Sequence, residues 1–476
     1  MTVDIIFYHA IVVTMADPIG CGIVPDGAVA VKKDRIIAVG ETKKVLKQYS
    51  AHRYLECSHK LLMPGLIDAH MHSGVSIYKG YAQDTERWMN DCVFILKGAL
   101  DLNARKAGSM LMIAEGIKAG TTTMVDCNEE MLFFAENHVK SGIRAQLSHT
   151  VHGLPLRSLE IEPDQLYPLD QTTEEESLEN AEKLICRYHL SHGGRITCGL
   201  SPLGLDRVSE EGIRRIGAIS EKEHLRIYLH LACGLREIHQ MEMRYAKRSI
   251  PFLNELGLIN KYLCSIHLSV AKKDELKLLA KKNSSMVLCS GSEAIVDGNI
   301  PPAVEFGRYG GKIAIGTDQT SGGNTSNVFY EMKIGALLNK CKFRNPEIFQ
   351  AWKMLRMATI DGAKVIGMET EIGSLEPGKK ADIIMLDLEH PHMTPMLCQP
   401  ISNIIPNLVY AANGSEVELS MVDGKILMED RELLTINEKD VIKDGYTESM
   451  KLLEAAGKQL INKNKAIKLL LKENKL

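Results

Sequence analysis

Leu61-Leu62-Met63-Pro64-Gly65-Leu66-Ile67-Asp68-Ala69-His70-Met71-His72 is a largely apolar run that ends on two histidines one residue apart. In an extended chain residues i and i+2 project to the same side, so His70 and His72 can grip one metal ion together. Further ligands must come from the ends of other strands. Outward from this stretch the chain repeats one pattern, a short apolar run, a loop and then an amphipathic segment. The runs include Thr122–Asp126, Arg144–Ser148, Ile196–Leu200, Arg226–His230, Ser285–Cys289 and Lys312–Gly316. Repeated βα units without a Gly-rich phosphate fingerprint after the early strands fit a (β/α)8 TIM-type barrel better than a doubly wound sheet. In a barrel the residues after each strand share one rim, where chemistry gathers. His230, His267 and Asp318 each close such a run, and with His70 and His72 they would meet there. Imidazole nitrogens with one carboxylate suit Zn²⁺ or Fe²⁺ and leave room for a water that the ion acidifies, so the implied chemistry is hydrolysis.

The flanks read differently. Asp4-Ile5-Ile6-Phe7 and Ala28-Val29-Ala30-Val31 near the start, and Ala381–Asp387 and Ser420–Leu427 near the end, alternate in short antiparallel style. The expected organisation of this α/β chain is a β-sandwich part over 1–62, a barrel over 63–375, a second sandwich part over 376–435 and a helical extension over 436–476. In the extension Leu452, Leu453, Leu460 and Ile467 form the expected buried stripe. The helix either packs on the body or makes a partner or dimer contact.

Composition narrows the function further. The 476 residues carry 57 Lys+Arg against 60 Asp+Glu, a formal charge of -3, so no basic field invites nucleic acid or an anionic membrane. No apolar stretch approaches the roughly 20 residues of a membrane helix, and Asp4 comes too early for a signal peptide. The expected location is cytoplasmic. The 11 cysteines have no paired CxxC spacing, which argues against disulfides and structural zinc modules.

Four stretches carry a family resemblance: Pro64–His72, Glu115–Thr123, Gly316-Thr317-Asp318 and Gly373–Asp382. Together with Leu408–Ser415 and Val422–Lys425, they make the chain resemble the amidohydrolase superfamily over nearly its whole length. The branch is the cytosine-deaminase-like one, with triazine hydrolases and the methylthioadenosine, adenosine-type and guanine deaminases. The resemblance implies a barrel with a composite sandwich from both ends. It also implies one divalent metal on His70, His72, His230 and Asp318, with zinc first and iron or manganese as alternatives. His267 would hydrogen-bond the attacking water or the developing oxyanion. Asp318 would also take the water's proton, and the assembly would be a homodimer.

The chain leaves the family pattern in three places. The deaminases open a His-x-x-Glu motif at the fifth strand, whereas this chain reads His230-Leu231-Ala232-Cys233. A thiol, with a reference pKa of about 8.5, is a poor and short substitute for that acid. Glu237 matches a further acid but is expected about two turns down the next helix. Leu200-Ser201-Pro202 lacks a histidine that relatives acting on nucleosides carry, which makes that side of the pocket more apolar. Cys289-Ser290-Gly291-Ser292-Glu293 has glutamate where relatives show asparagine. Glu293 could be a relocated acid, a contact for a cationic group or a solvated loop residue. Cys233, Glu293 and Trp88 are the candidate substrate contacts. Ser73, His149, His152, Gln319 and Asn324 fall in loops near the rim.

The expected activity is hydrolysis of a C–N bond in a small, nitrogen-rich heterocyclic compound, by deamination or by cyclic-amide cleavage. Dehalogenation of a triazine-type ring is a variant. The reading from another class is a protein that keeps the fold, binds and does not turn over.

Overall fold

Residues 1–85, 87–155 and 165–475 are described in a computed structural model of the chain. Five strands open it: β1 (Thr2–Val13), β2 (Ile23–Lys32), β3 (Arg35–Glu41), β4 (Ser50–Glu56) and β5 (Lys60–Pro64). The middle carries β6 (Leu66–Met71), β7 (Thr121–Asn128), β8 (Arg144–Val151), β9 (Ile196–Cys198), β10 (Ser201–Pro202), β11 (Ile227–Leu231), β12 (Leu263–His267), β13 (Ser285–Leu288) and β14 (Lys312–Ile315). After the barrel come β15 (Ile383–Asp387), β16 (Val417–Val422), β17 (Lys425–Glu429) and β18 (Glu432–Leu433).

The middle strands run parallel, β6 to β7 to β8 and β11 to β12 to β13 to β14. β9 and β10 both lie on β8, as two halves of one strand interrupted at Leu200. Two seams join the halves into a ring of eight. Leu200 bridges to Ile227, and Met71 bridges to Asp318. Every residue of β6, β7 and β8 is buried, as expected of parallel strands covered on both faces. The surrounding helices start on capping side chains. Asp101 accepts from Ala104 N–H, Asp170 from Thr173 N–H and Ser209 from Gly212 N–H, each worth about 1 kcal/mol.

The two chain ends build one nine-stranded sheet, in the order β18-β17-β16-β15-β5-β1-β2-β3 with β4 on β1. β5 pairs with β15 with Pro64 opposite Ile383, so strands from before and after the barrel lie side by side. Phe7, Val12, Val29, Leu62, Ile383 and Leu419 share its core. Gly65 separates β5 from β6, and a Cβ there would sit 2.0 Å from Thr122 Oγ1, so the corner into the barrel admits only glycine.

Arg144, the first residue of β8, ties the sheet to the barrel at the end opposite the rim. Its guanidinium donates to Asp382 at 2.6 and 2.9 Å and also to Asp423. This ion pair gives Asp382, the last residue of the Gly373–Asp382 stretch, its structural task.

The helix Glu438–Lys463 lies over residues 73–85 and 87–118, with Leu452, Ala456 and Leu460 packed among Tyr78, Trp88 and Cys92. The buried stripe steps by four, so Ala456 belongs to it and Leu453 falls half-buried beside it. Ile467 packs at its edge. Among the described residues no helix is long and apolar enough to cross a membrane.

Removing one partner of a buried ion pair strands the other charges. Arg144→Ala should therefore lower the unfolding free energy by about 3–5 kcal/mol, read as a lower urea midpoint. An unchanged midpoint would mean that the sheet does not depend on this anchor.

Candidate metal centre

Three strands deliver four ligand atoms to one point. His70 lies within β6 and His72 one residue past it, on the same side of the strand. His230 is in β11, and Asp318 follows β14. His72 Nε2 is 3.4 Å from His230 Nε2 and 3.4 Å from Asp318 Oδ1, and His70 Nε2 is 3.5 Å from the same oxygen. A tetrahedral ion with ligand bonds of about 2.0–2.1 Å sets its ligands about 3.3 Å apart, so the spacing fits. All four ligand atoms lie within 4.8 Å of one another.

The polar balance of these groups also fits a cation. Both ring nitrogens of His70, Nδ1 of His230 and Oδ1 of Asp318 are buried without a hydrogen bond. Burial pushes His70 down to about 4, helped by His72, and takes His230 well below the usual range. Neutral imidazole is the form that ligates. Burial alone would raise Asp318, but His70, His267 and His72 around it outweigh that and hold it well below the usual carboxylate range. His72 is turned by its other nitrogen, Nδ1, which contacts the Cys127 carbonyl and leaves Nε2 for an ion.

Asp68 locks the barrel seam under the site. It accepts from Thr317 N–H at 3.0 Å, from the Thr317 hydroxyl, and from His70 N–H at 3.4 Å. Burial pushes Asp68 up to about 7. Asp318 N–H in turn donates to the His70 carbonyl at 2.9 Å. Gly316 makes this approach possible, because a Cβ there would meet both His70 N and O at 2.9 Å. Ala232, His267, Leu268 and Asp318 all have positive φ, between 48° and 72°. This backbone strain clusters where the side chains must leave the strand direction.

The remaining candidates divide. His267 closes β12 with Nε2 3.9 Å from Asp318 Oδ2. Glu293 sits in the first turn of the helix Ser290–Val296, with Oε1 3.1 Å from His267 Nδ1 and Oε2 accepting from Ser269 Oγ. It is buried, so the solvated-loop alternative does not hold. Burial raises its carboxyl. Cys233 is half-buried, with Sγ 3.4 Å from Glu237 Oε2, and desolvation together with that carboxylate lifts its thiol well above the usual range.

Glu237 departs from expectation. The helix begins at Leu235, so Glu237 stands in its first turn, and its carboxylate folds back onto Ala232 N–H at 3.0 Å and Cys233 N–H at 2.9 Å. It holds the loop after His230. Trp88 is buried against Tyr78 and Leu452, with its indole N–H 3.4 Å from the Ser321 carbonyl, and so anchors the segment over the loop that follows Asp318. Ser73 is pinned by Asp126 beneath the turn after His72, and Asn324 receives Gly80 N–H. His149 is buried and pushed down to about 4, and His152 Nε2 lies 4.0 Å from Glu129. Gln319 meets the Ser321 hydroxyl.

Ser292, which sequence reasoning did not single out, belongs to the site by its contact with a ligand residue. Its hydroxyl donates to Asp318 Oδ2 at 2.6 Å. The available signal was its place beside Glu293 just after a barrel strand.

The family described as "Amidohydrolase family" matches residues 61–427. The chain is 31% identical over 442 residues to a 5-methylthioadenosine/S-adenosylhomocysteine deaminase of Syntrophobacter fumaroxidans, covering 92% of this chain and 96% of that one. It is 30% identical over 432 residues to a 5'-deoxyadenosine deaminase of Methanosphaera stadtmanae, covering 89% and 96%. Among solved structures, an adenosine deaminase from Xanthomonas campestris with bound zinc shares the fold at a TM-score of 0.86 and 24% identity, over 95% of this chain and 99% of that one. The zinc complex of an atrazine chlorohydrolase from Arthrobacter aurescens does so at 0.83 and 18%, over 94% and 100%.

Behind the centre, Glu331 accepts from Gly291 N–H at 3.1 Å, and its other oxygen has no partner. Burial, together with the charge of Asp68, pushes it from 4.5 up to about 8. A carboxyl whose folded-state pKa is raised contributes stability that is complete below the unfolded value and is lost as pH rises through the folded one. Wild type should therefore lose stability relative to Glu331→Gln between pH 4.5 and 8, in urea midpoints measured across that range. Parallel curves would show that Glu331 is ionised throughout.

Proposed function

Because the chain belongs to the amidohydrolase family and is a metal-dependent hydrolase of C–N bonds, we propose that its reaction is the hydrolytic deamination of an amino-substituted heterocycle, with 5'-substituted adenosines the first class to test. The observation that carries this reading is the convergence of His70, His72, His230 and Asp318, next to an imidazole aimed at the same point. The deaminase relatives at 30 and 31% identity support the substrate class.

In this reading the four residues hold one zinc ion, which supplies Lewis acidity and acidifies a water molecule. Asp318 keeps Oδ1 for the ion, while Oδ2 stays beside Ser292 and His267. It takes a proton from the attacking water as the new C–O bond forms, and returns it to the departing nitrogen as the C–N bond breaks, so that ammonia leaves neutral. His267 Nε2 faces the attacking water and, with the ring proton on Nδ1, accepts a hydrogen bond from it. Cys233 offers no carboxyl for this relay, and Glu237 is occupied with the backbone. That occupation favours a second reading, cleavage of a cyclic amide, in which no ring nitrogen needs protonation before attack. The reading also takes the cytoplasm as the compartment and a homodimer as the assembly.

The test is zinc-loaded protein against 5'-methylthioadenosine, S-adenosylhomocysteine, 5'-deoxyadenosine and adenosine, beside a set of cyclic amides, with ammonia and ring absorbance both followed. Ammonia release from a nucleoside is expected. His230→Ala should lose its zinc and about a thousandfold in rate. Ring opening without ammonia would favour the second reading. Turnover of neither set would sink both.

A further inference from the structure

Ser292 and Glu293 are consecutive residues on the first turn of one helix, and each holds a different member of the site. Ser292 Oγ donates to Asp318 Oδ2 at 2.6 Å, and Glu293 Oε1 stands 3.1 Å from His267 Nδ1. The far oxygen of Glu293 is itself fixed by the Ser269 hydroxyl, two residues past His267. Gly291 N–H anchors the same turn on Glu331, and a Cβ at Gly291 would lie 2.3 Å from Glu331 Oε1, so the turn is seated tightly from behind.

His267 needs such a hold. Its φ is +72° and that of Leu268 is +56°, so the backbone turns out of the strand at this residue and does not by itself aim the ring. The ring is buried, and Nδ1, 3.1 Å from Glu293 Oε1, has no aligned hydrogen-bond partner. A buried ring N–H seeks an acceptor, and Glu293 Oε1 is within reach after a small turn of either side chain. With Nδ1 committed there, Nε2 is left to face Asp318, 3.9 Å away.

We propose that Ser292-Glu293 is a two-pronged clamp in which Glu293 is a positioning residue, holding His267 by its Nδ1 edge while Ser292 holds Asp318, so that both act on the same reacting atom. The clamp deepens the hydrolytic reading of the site and rests on it. Asparagine at 293 could hardly reproduce it, being one methylene shorter.

The experiment compares zinc-loaded wild type, Glu293→Ala and Glu293→Gln. Activity is measured on whichever 5'-substituted adenosine wild type deaminates, and the His267 ring is followed by ¹⁵N NMR, its signals identified by their loss in His267→Gln. Glu293→Ala should lower kcat about 10- to 100-fold. It should leave KM within roughly threefold and zinc at one per chain. Glu293→Gln, which keeps an acceptor oxygen at the same reach, should recover about tenfold of the loss. The ring should show one tautomer, with the proton on Nδ1, in wild type and in Glu293→Gln, and a mixture in Glu293→Ala. A single unchanged tautomer and unchanged kcat in Glu293→Ala would overturn the proposal. So would a loss of rate that merely tracks loss of zinc. If wild type deaminates none of the nucleosides, the functional reading fails, and the ring spectra, which need no substrate, still decide the clamp.

Discussion

Closure of the barrel between its first and last strands is the constraint on which this molecule depends. The ligands that β6 and β14 bring come together only where Asp318 N–H reaches the His70 carbonyl, and Gly316 is the residue that lets the two backbones approach so closely. Asp68 reinforces that seam by gripping Thr317 through both backbone and side chain. Around this junction buried nitrogens and a carboxylate oxygen lack hydrogen bonds, and two imidazole Nε2 atoms face each other at 3.4 Å. Groups in that condition oppose closure unless a cation lies among them. Ion binding and completion of the ring are thus one linked equilibrium.

The acids around the centre are sorted by their surroundings. Asp68 is held at about 7 and Glu331 at about 8 by burial, while Asp318 is kept anionic by the imidazoles. Asp318 is the one carboxylate among the ligands, beside three imidazoles. A divalent ion so ligated keeps excess positive charge, the condition under which it polarises a bound substrate most strongly. Glu237 belongs to this pattern as well, for it spends its carboxylate on two backbone N–H groups in place of a substrate proton.

Much of the site could be read before any coordinates, because a strand's two-residue period and its C-terminal end are local facts. His70, His72, His230, His267 and Asp318 each stand at such an end, and the βα alternation that locates them survives in the structure. The stripe on the last long helix was equally visible, apart from the exchange of Leu453 for Ala456: at about 100° per residue Ala456 lies at the centre of the 452–460 face and Leu453 about 60° round from it. The rest was hidden for a physical reason. The hold of Ser292 on Asp318, of Asp68 on Thr317 and of Glu237 on the loop after His230 depends on which side chain meets which backbone across the ring. No spacing along the chain encodes that. Trp88 shows the same limit from the other side, since an aromatic near a rim reads alike whether it faces a substrate or, as here, packs beneath a helix.

The composite sheet has a consequence for the order in which the protein can be made. β5 finds β15 only after the whole barrel between them has been synthesised, so the N-terminal strands leave the ribosome with one edge unpaired. Their pairing is of high contact order and therefore slow relative to the local βα units that form in the interval. Arg144, buried at the foot of β8, likewise waits for Asp382 and Asp423. During that wait the nascent chain carries an open β edge, and the Arg144 guanidinium stays in water until its two carboxylate partners arrive.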